Sequence, residues 1–231
     1  MDGDWSGLIP PSKRLLAEEV FLEIGSAIVD GRIPAGTRLR DADLAAQYNV
    51  SRTPVREALQ RLERIGLVEM APSRFTRVTE PTPEAIDDAR EYAGYQTGIV
   101  CAMAVGRMSA AERAHARRII ERIRAAGADA EASSKARWEL FEHLGRCSGN
   151  RIQRELTAES SMALLRHLRL WRPTAEQRAM AEEGLDALEE AILDGDAAAA
   201  EQAARLMYGV RGAEDAASEA SDAADPAERT G

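Results

Sequence analysis

Aromatic residues, cysteines and long apolar runs are all scarce in this sequence. Aromatic residues make up 4% of its 231 residues, whereas alanine is abundant, which favours helices over sheets and predicts a mainly α fold. No apolar run approaches the roughly 20 residues that cross a bilayer, and no basic stretch followed by an apolar core is found near the first residue. We therefore expect no membrane segment, no targeting signal and a cytoplasmic location.

The two cysteines and three histidines do not form a pattern typical of a disulfide framework or a metal site. Cys101 and Cys147 lack C-x-x-C spacing, so we expect both to be small core residues. A three-histidine site would need His115, His143 and His167 together. Their positions on separate predicted helices disfavour such a site.

The charge is distributed unevenly along the chain. The net charge of −9 at first argues against a nucleic-acid partner, because phosphate binding is driven by Lys and Arg. Between Lys13 and Glu80, however, there are eleven basic and ten acidic residues, so this segment is nearly neutral and can present one basic face. The excess negative charge lies elsewhere, including an acidic tail at residues 213–231 that we expect to be disordered.

Two prolines mark the boundary between two predicted domains. Pro81 and Pro83 disfavour helix at the residue before each of them, so we place the linker here. The predicted domains are residues 12–80 and 84–212.

A helix-turn-helix is predicted between Asp41 and Ile65. Asp41 is expected to cap a short helix that ends at Tyr48, and Asn49 is suited to a turn that needs a positive φ. Ser51 is placed to cap the next helix through its hydroxyl group. Pro54 falls within the first turn of that helix, where its missing N–H would have had no intrahelical partner.

The second of these helices has separate apolar and basic faces. Arg52 and Arg56 lie four residues apart near its start, with Thr53 beside them, so we expect both guanidinium groups to project outward and unobstructed. The apolar face recurs at helical spacing: Val55, Ala58, Leu59, Leu62 and Ile65. Such a helix can enter a major groove. The alternative is a solvated face that pairs with Glu57 or Glu63.

A β-hairpin wing is predicted after Gly66, with its turn at Pro72–Ser73. Arg74 and Arg77 are expected on this wing. For Arg61 and Arg64, which lie later on the preceding helix, contacts with phosphate or water alone are favoured.

The stretch LRDADLAAQYNVSRTPVREALQRLERIGLV closely resembles the signature of the GntR transcriptional regulators. The resemblance implies that Ser51, Arg52, Thr53 and Arg56 contact DNA and that the wing tip enters the minor groove. The Arg-Gly typical of that tip is replaced here by Arg74-Phe75, although Arg74 remains available for DNA.

The second domain is predicted to be an antiparallel all-α bundle of six helices, near residues 84–106, 110–126, 134–147, 151–171, 174–194 and 197–211. An interior pocket is expected in such a bundle. Through ELFEHLGRCSGN and LEEAILDGDAAAAEQAARLM, this part resembles the FCD effector-binding domain of the FadR subfamily.

Many domains of this type hold a metal ion, and the resemblance places Arg137, Phe141, Leu185 and Met207 where the ligands would be. None of these residues is a ligand of the required kind, so we predict a metal-free effector pocket and no cofactor. Arg137 is either a surface residue near Glu139 or an internal cation that pairs with an anionic effector. Arg166 and Arg169 are weaker candidates for the same role.

These features together predict a ligand-responsive transcriptional regulator that reads an inverted-repeat operator as a homodimer. Two other functions remain open. The chain could be a protein-interaction bundle whose winged helix does not read bases. It could also be an enzyme, because His143 and Cys147 lie four residues apart, although no orienting acid is visible in the sequence.

Overall fold

The computed structural model describes residues 11–72 and 74–212. Ser73 of the predicted wing turn and the predicted tail at 213–231 lie outside the described residues. Within the described part, no helix is both long and apolar enough to cross a membrane.

The described chain is mainly helical with one small sheet, which confirms the predicted fold class. In chain order the elements are α1 (Pro11–Val29), α2 (Asp41–Gln47), α3 (Arg52–Arg64), β1 (Val68–Ala71), β2 (Phe75–Val78), α4 (Pro83–Ala104), α5 (Ala110–Ala126), α6 (Ala130–Ser148), α7 (Arg151–Leu170), α8 (Ala175–Asp194) and α9 (Ala197–Leu206). A 3₁₀ turn at Val105–Arg107 follows α4.

Two compact units divide the chain. The first contains the described residues up to Pro83 together with Thr157–Arg166, and the second contains Glu84–Leu156 together with the described residues from His167 onward. The segment 157–166 of α7 thus groups with the first unit. Met162 packs against the core of the first unit, which explains this grouping.

The first unit is a three-helix core that carries a hairpin. The apolar face predicted for α3 is buried against α1, with Val55, Ala58 and Leu62 each fully inaccessible. β1 and β2 pair antiparallel, from Val68 opposite Val78 to Ala71 opposite Phe75. A helix-turn-helix followed by a hairpin wing is therefore present, as the sequence predicts.

The turn between α2 and α3 follows one sequence prediction and departs from another. Asn49 has a φ of 53°, the conformation expected of it. Asp41, however, does not cap α2, because the helix begins at Asp41 itself and Arg40 occupies the N-cap position. The Asp41 carboxylate is consequently free to contact other elements.

The six predicted helices are all present, and apart from Pro83 and the segment 157–166 of α7 they belong to the second unit. Side chains of the N-cap residues close the starts of α5 to α9: Ser109, Asp129, Asn150, Thr174 and Asp196. Large apolar side chains fill the centre of this unit, among them Ile119, Leu140, Leu144, Leu188 and Ile192. Gly184 lets α8 approach the backbone of α9 closely.

Candidate functional site

The start of α3 presents four exposed polar side chains: Ser51, Arg52, Thr53 and Arg56. Ser51 occupies the N-cap position with an extended backbone, but its hydroxyl accepts no capping hydrogen bond, contrary to the sequence prediction. Pro54 lies in the first turn and is buried, as its missing N–H allows. This end of the helix therefore leaves its polar face open to solvent.

Asp41 holds both arginines of this face, Arg52 and Arg56, with one carboxylate. Arg52 donates from Nη2 to both carboxylate oxygens at 2.8 and 2.9 Å, and Arg56 donates from Nε at 2.7 Å. The hydrogen bond from Arg52 lowers the pKa of Asp41, so the carboxylate is ionised at neutral pH. The expectation that the two guanidinium groups are unobstructed was therefore wrong: they project together, but each is paired.

These ion pairs leave the arginines accessible. The side chains of Arg52 and Arg56 remain 58% and 61% exposed, and ion pairs this exposed contribute only about 0–1 kcal/mol. A phosphate or a guanine edge can therefore compete with Asp41 for the guanidinium groups. The sequence reasoning missed this contact because it assigned Asp41 to helix capping.

The remaining arginines of this unit differ in their contacts. Arg74 is exposed beside the hairpin turn. Arg77 pairs with Glu69, and Arg61 pairs with Glu18 while its guanidinium lies 4.0 Å from the centre of the Phe21 ring. Among the predicted wing arginines, Arg74 is therefore the more available for DNA.

Arg166 is buried inside the first unit. It donates to the Thr79 hydroxyl at 2.7 Å, to the Leu67 carbonyl at 3.3 Å and to the Thr79 carbonyl. Arg169 pairs with Glu131 at 2.7 Å. Neither arginine lines the cavity described next.

A cavity of about 430 Å³ lies within the second unit. Its wall is largely apolar and includes Ile123, Leu168, Trp171, Ala181 and Leu185. Of the four predicted effector residues, Arg137 and Leu185 line the cavity. Phe141 and Met207 are buried in the surrounding core and are not part of its lining.

Arg137 is an internal residue and not a surface one. It is 6% exposed, and it donates to the Met207 carbonyl at 2.6 Å and to the Ser133 hydroxyl at 3.2 Å. The rings of Tyr208 and Trp171 lie 5.2 and 5.6 Å from its guanidinium carbon. Burial lowers the pKa of Arg137, but a guanidinium still keeps its proton at neutral pH.

One further polar group of this cavity escaped the sequence reasoning. Ser134 is 3% exposed and lines the cavity. Its hydroxyl has no hydrogen-bond partner among the described residues. A single serine in a helix carries no sequence signal that it lines a cavity. Only the packing of α6 shows that Ser134 does so.

The residues at the four positions that the resemblance assigns to metal ligands do not fit a metal ion. The four positions that the family resemblance assigns to metal ligands hold a guanidinium, two hydrocarbon side chains and a thioether. In the described part of the chain, no group of three or more His, Cys, Asp or Glu side chains is placed to hold a metal.

His143 and Cys147 are not arranged as a catalytic pair. The Nε2 atom of His143 donates to the Glu112 carbonyl at 2.9 Å, so this nitrogen carries a proton and cannot act as a base toward the thiol. The Cys147 sulfur lies 3.7 Å from the same nitrogen, and burial raises the pKa of the thiol to about 11. A thiol with this pKa is overwhelmingly protonated at neutral pH and is a poor nucleophile.

Comparison with protein families assigns both parts of the chain. Residues 16–78 match the family described as bacterial regulatory proteins, gntR family, and residues 98–209 match the FCD domain. The HTH-type transcriptional regulator BphR of Paraburkholderia xenovorans is 39% identical over 88 residues, which cover 38% of this chain and 35% of that protein. The matched segment thus spans about a third of the length of this curated relative.

Two solved structures share the fold along most of the chain. McbR/YncC of E. coli superposes with a TM-score of 0.61 at 21% identity and covers 90% of this chain and 98% of its own. A GntR transcriptional regulator of Rhodococcus sp. RHA1 superposes with the same TM-score at 23% identity and the same coverage. At this identity the likeness supports a shared fold.

Proposed function

This chain belongs to the gntR family of bacterial regulatory proteins, with an FCD domain after its DNA-binding domain, and from this premise we propose that it is a ligand-responsive, DNA-binding transcriptional regulator. The observation that carries the proposal is the pair of exposed arginines at the start of α3. Arg52 and Arg56 share one face of the helix, and one carboxylate holds both.

We assign the reading of DNA bases to the first turns of α3. Arg52 and Arg56 exchange Asp41 for base edges or phosphates in a major groove, while Ser51 and Thr53 contact the backbone. Arg74 reaches the neighbouring minor groove from the wing. The protein acts in the cytoplasm, without a metal, a cofactor or enzymatic activity.

A two-fold homodimer reads an inverted repeat in this proposal. α4 supports it with three exposed apolar residues at positions i, i+3 and i+7: Tyr92, Tyr95 and Ile99. Such a stripe is the side of a helix that a second copy would cover.

The effector is a small anionic molecule held in the cavity beside Arg137. The buried guanidinium and the apolar wall support this assignment. The effector changes DNA affinity only if it binds the DNA-competent and incompetent states of the protein with different affinities.

Binding of the chain to DNA upstream of its own gene tests this function. Gel shifts at several salt concentrations compare that DNA with a scrambled duplex. Arg52→Ala and Arg56→Ala should each remove discrimination worth about 1–3 kcal/mol, because a bidentate contact with guanine contributes that much. Arg151→Ala serves as the control, since it removes the same charge from an exposed position on α7. Unchanged sequence preference in both α3 variants would favour a protein-interaction module instead.

A further inference from the structure

A single arginine of α7 holds the base of the hairpin wing. Arg166 donates from Nη1 to the Thr79 hydroxyl at 2.7 Å and to the Leu67 carbonyl at 3.3 Å, and from Nη2 to the Thr79 carbonyl. Leu67 immediately precedes β1, and Thr79 immediately follows β2. The guanidinium therefore bridges the chain that enters the wing and the chain that leaves it.

Further hydrogen bonds close the base of the wing around this guanidinium. The Thr79 N–H donates to the Leu67 carbonyl at 3.1 Å, and the Thr79 hydroxyl donates to the Gly66 carbonyl at 2.7 Å. Among the described hydrogen bonds, the segment 36–39 pairs with β2 alone, whereas Arg166 contacts both sides of the hairpin. Because Arg166 is 5% exposed, any tilt of the wing would leave its buried donors unsatisfied, which is costly.

The helix that carries Arg166 is fixed on the body of the same unit. Met162, one helical turn earlier, packs against the core of the first unit. It lies over Gly25 of α1, where an added methyl group would collide with the Met162 sulfur. The segment 157–166 belongs to the first unit. Arg166 thus reaches the wing from a helix that is anchored on α1.

Small rotations at the base are amplified at the wing tip. Arg74 lies five residues before Thr79, and its N–H donates to the Ala71 carbonyl at 3.0 Å, so its backbone moves with the strands. Five extended residues span about 17 Å, so a tilt of about 10° at the base would move Arg74 by about 3 Å. A displacement of this size breaks a hydrogen bond. A contact between Arg74 and DNA therefore requires a fixed base.

We infer that Arg166 is a positioning residue for DNA recognition, which fixes the wing at the end of α3 so that Arg74 and the start of α3 contact DNA together. The inference rests on the proposed function and adds to it a residue that touches no DNA itself. Loss of Arg166 should weaken the contribution of the wing to DNA binding and leave the contribution of α3 unchanged.

A double-mutant cycle on the full chain tests this inference. Fluorescence anisotropy at one salt concentration measures affinity for the upstream duplex. We expect Arg74→Ala to weaken binding by about 10-fold in the wild-type chain, as the loss of a charge-assisted contact does. In the Arg166→Met chain the same change should weaken binding by less than about 2-fold. Arg52→Ala should have the same effect in both chains, because α3 does not depend on the wing.

Matched variants separate positioning from a general loss of structure. Arg169→Met makes the same change three residues later on α7 and should leave the effect of Arg74→Ala at its wild-type value. Arg166→Lys keeps the charge and should restore part of that effect. If Arg166→Met does not fold, Thr79→Val decides, since it removes one acceptor of Arg166 at similar volume and should also reduce the effect of Arg74→Ala.

Three results would overturn the inference. The first is an equal effect of Arg74→Ala with and without Arg166. The second is a parallel decrease in the effects of Arg74→Ala and Arg52→Ala, which would make Arg166 a residue of general stability. The third is a wild-type chain whose affinity does not change with Arg74→Ala, because there would then be no wing contact to position.

Amide hydrogen exchange without DNA separates this inference from the proposed function. In Arg166→Met, the amides of β1, β2 and Thr79 should exchange several-fold faster, while those of α3 keep their protection. Unchanged exchange in the wing contradicts the positioning role, even if the wild-type chain binds DNA specifically. Faster exchange in a wild-type background that lacks sequence-specific DNA binding contradicts the proposed function instead.

Discussion

Asp41 couples the two arginines at the start of α3 through one carboxylate. Because the contacts are exposed, they contribute little to stability, but they restrict the rotamers of two long side chains. Restricting them before DNA arrives reduces the entropy lost on binding. A DNA phosphate has to replace the Asp41 carboxylate before it can bind these arginines. Asp41 therefore weakens contacts with any phosphate that binds them no more strongly than the carboxylate does. We therefore interpret it as a positioning residue that favours specific over non-specific DNA.

Removing the charge of Asp41 should make DNA binding tighter and less selective. In Asp41→Asn, Arg52 and Arg56 no longer pair with a carboxylate, so affinity for scrambled DNA should rise several-fold while the ratio of specific to non-specific affinity falls. Fluorescence anisotropy with both duplexes at one salt concentration measures this ratio.

Asp43→Asn is the matched control, because Asp43 is an exposed acid on the same helix. It makes the same change in net charge and should raise both affinities together without changing their ratio. If the two variants behave alike, Asp41 acts only through its charge and the positioning role is wrong.

Most helices could be predicted from the sequence because their apolar spacing and caps are local signals. The six helices predicted after the linker are present, but α6 begins at Ala130 and not near residue 134, and α9 ends at Leu206 and not near residue 211. The segment before 134 contains small and polar residues typical of a loop, whereas the Asp129 side chain caps it into a helix by accepting from Glu131 and Ala132. The prediction that Asp41 caps α2 failed because its carboxylate instead binds Arg52 and Arg56, which are distant in the sequence.

The effector site could be predicted only in part. The inward position of Arg137 depends on how α6 packs against the end of α9, where the Met207 carbonyl accepts its hydrogen bond. Ser134 and Trp171 meet at the same cavity although 37 residues separate them. Such contacts are tertiary, and no spacing within one helix encodes them.

α8 and α9 can cross closely because Gly184 has no side chain. A methyl group at Gly184 would lie 2.7 Å from the Leu206 carbonyl carbon and 2.9 Å from the Ala203 carbonyl oxygen. Both are backbone atoms and cannot rotate away, so α9 would have to move. We expect Gly184→Ala to lower the free energy of unfolding by about 1–3 kcal/mol, as overpacked cores usually do.

Urea denaturation measures this effect through the transition midpoint at constant slope. Gly106→Ala is the control, because a methyl group there meets no atom within 4 Å and should change stability by less than about 0.5 kcal/mol. A Gly184→Ala protein as stable as the wild type would show that the two helices do not pack this closely.

At the scale of the whole molecule, a net charge of −9 has to coexist with DNA binding. The segment from Lys13 to Glu80 is nearly neutral, with eleven basic and ten acidic residues, while the acidic excess belongs to the remainder. A negative remainder is repelled by phosphate. Only the exposed face of α3 and the wing should therefore contribute to the salt dependence of binding.

Self-association should depend on the exposed apolar stripe of α4. Ile99 is 47% exposed and lies on the same side as Tyr92 and Tyr95, so a glutamate there would bury a charge in the proposed dimer interface. We expect Ile99→Glu to weaken dimerisation by about 100-fold and to abolish tight binding to an inverted repeat, while a single half-site is still bound weakly.

Leu193→Glu is the control, because it makes the same change at a residue that is 48% exposed on α8, and this variant should remain dimeric. Sedimentation velocity at several concentrations measures both, and a wild-type chain that sediments as a monomer, or an Ile99→Glu protein that dimerises normally, would contradict the assignment of α4.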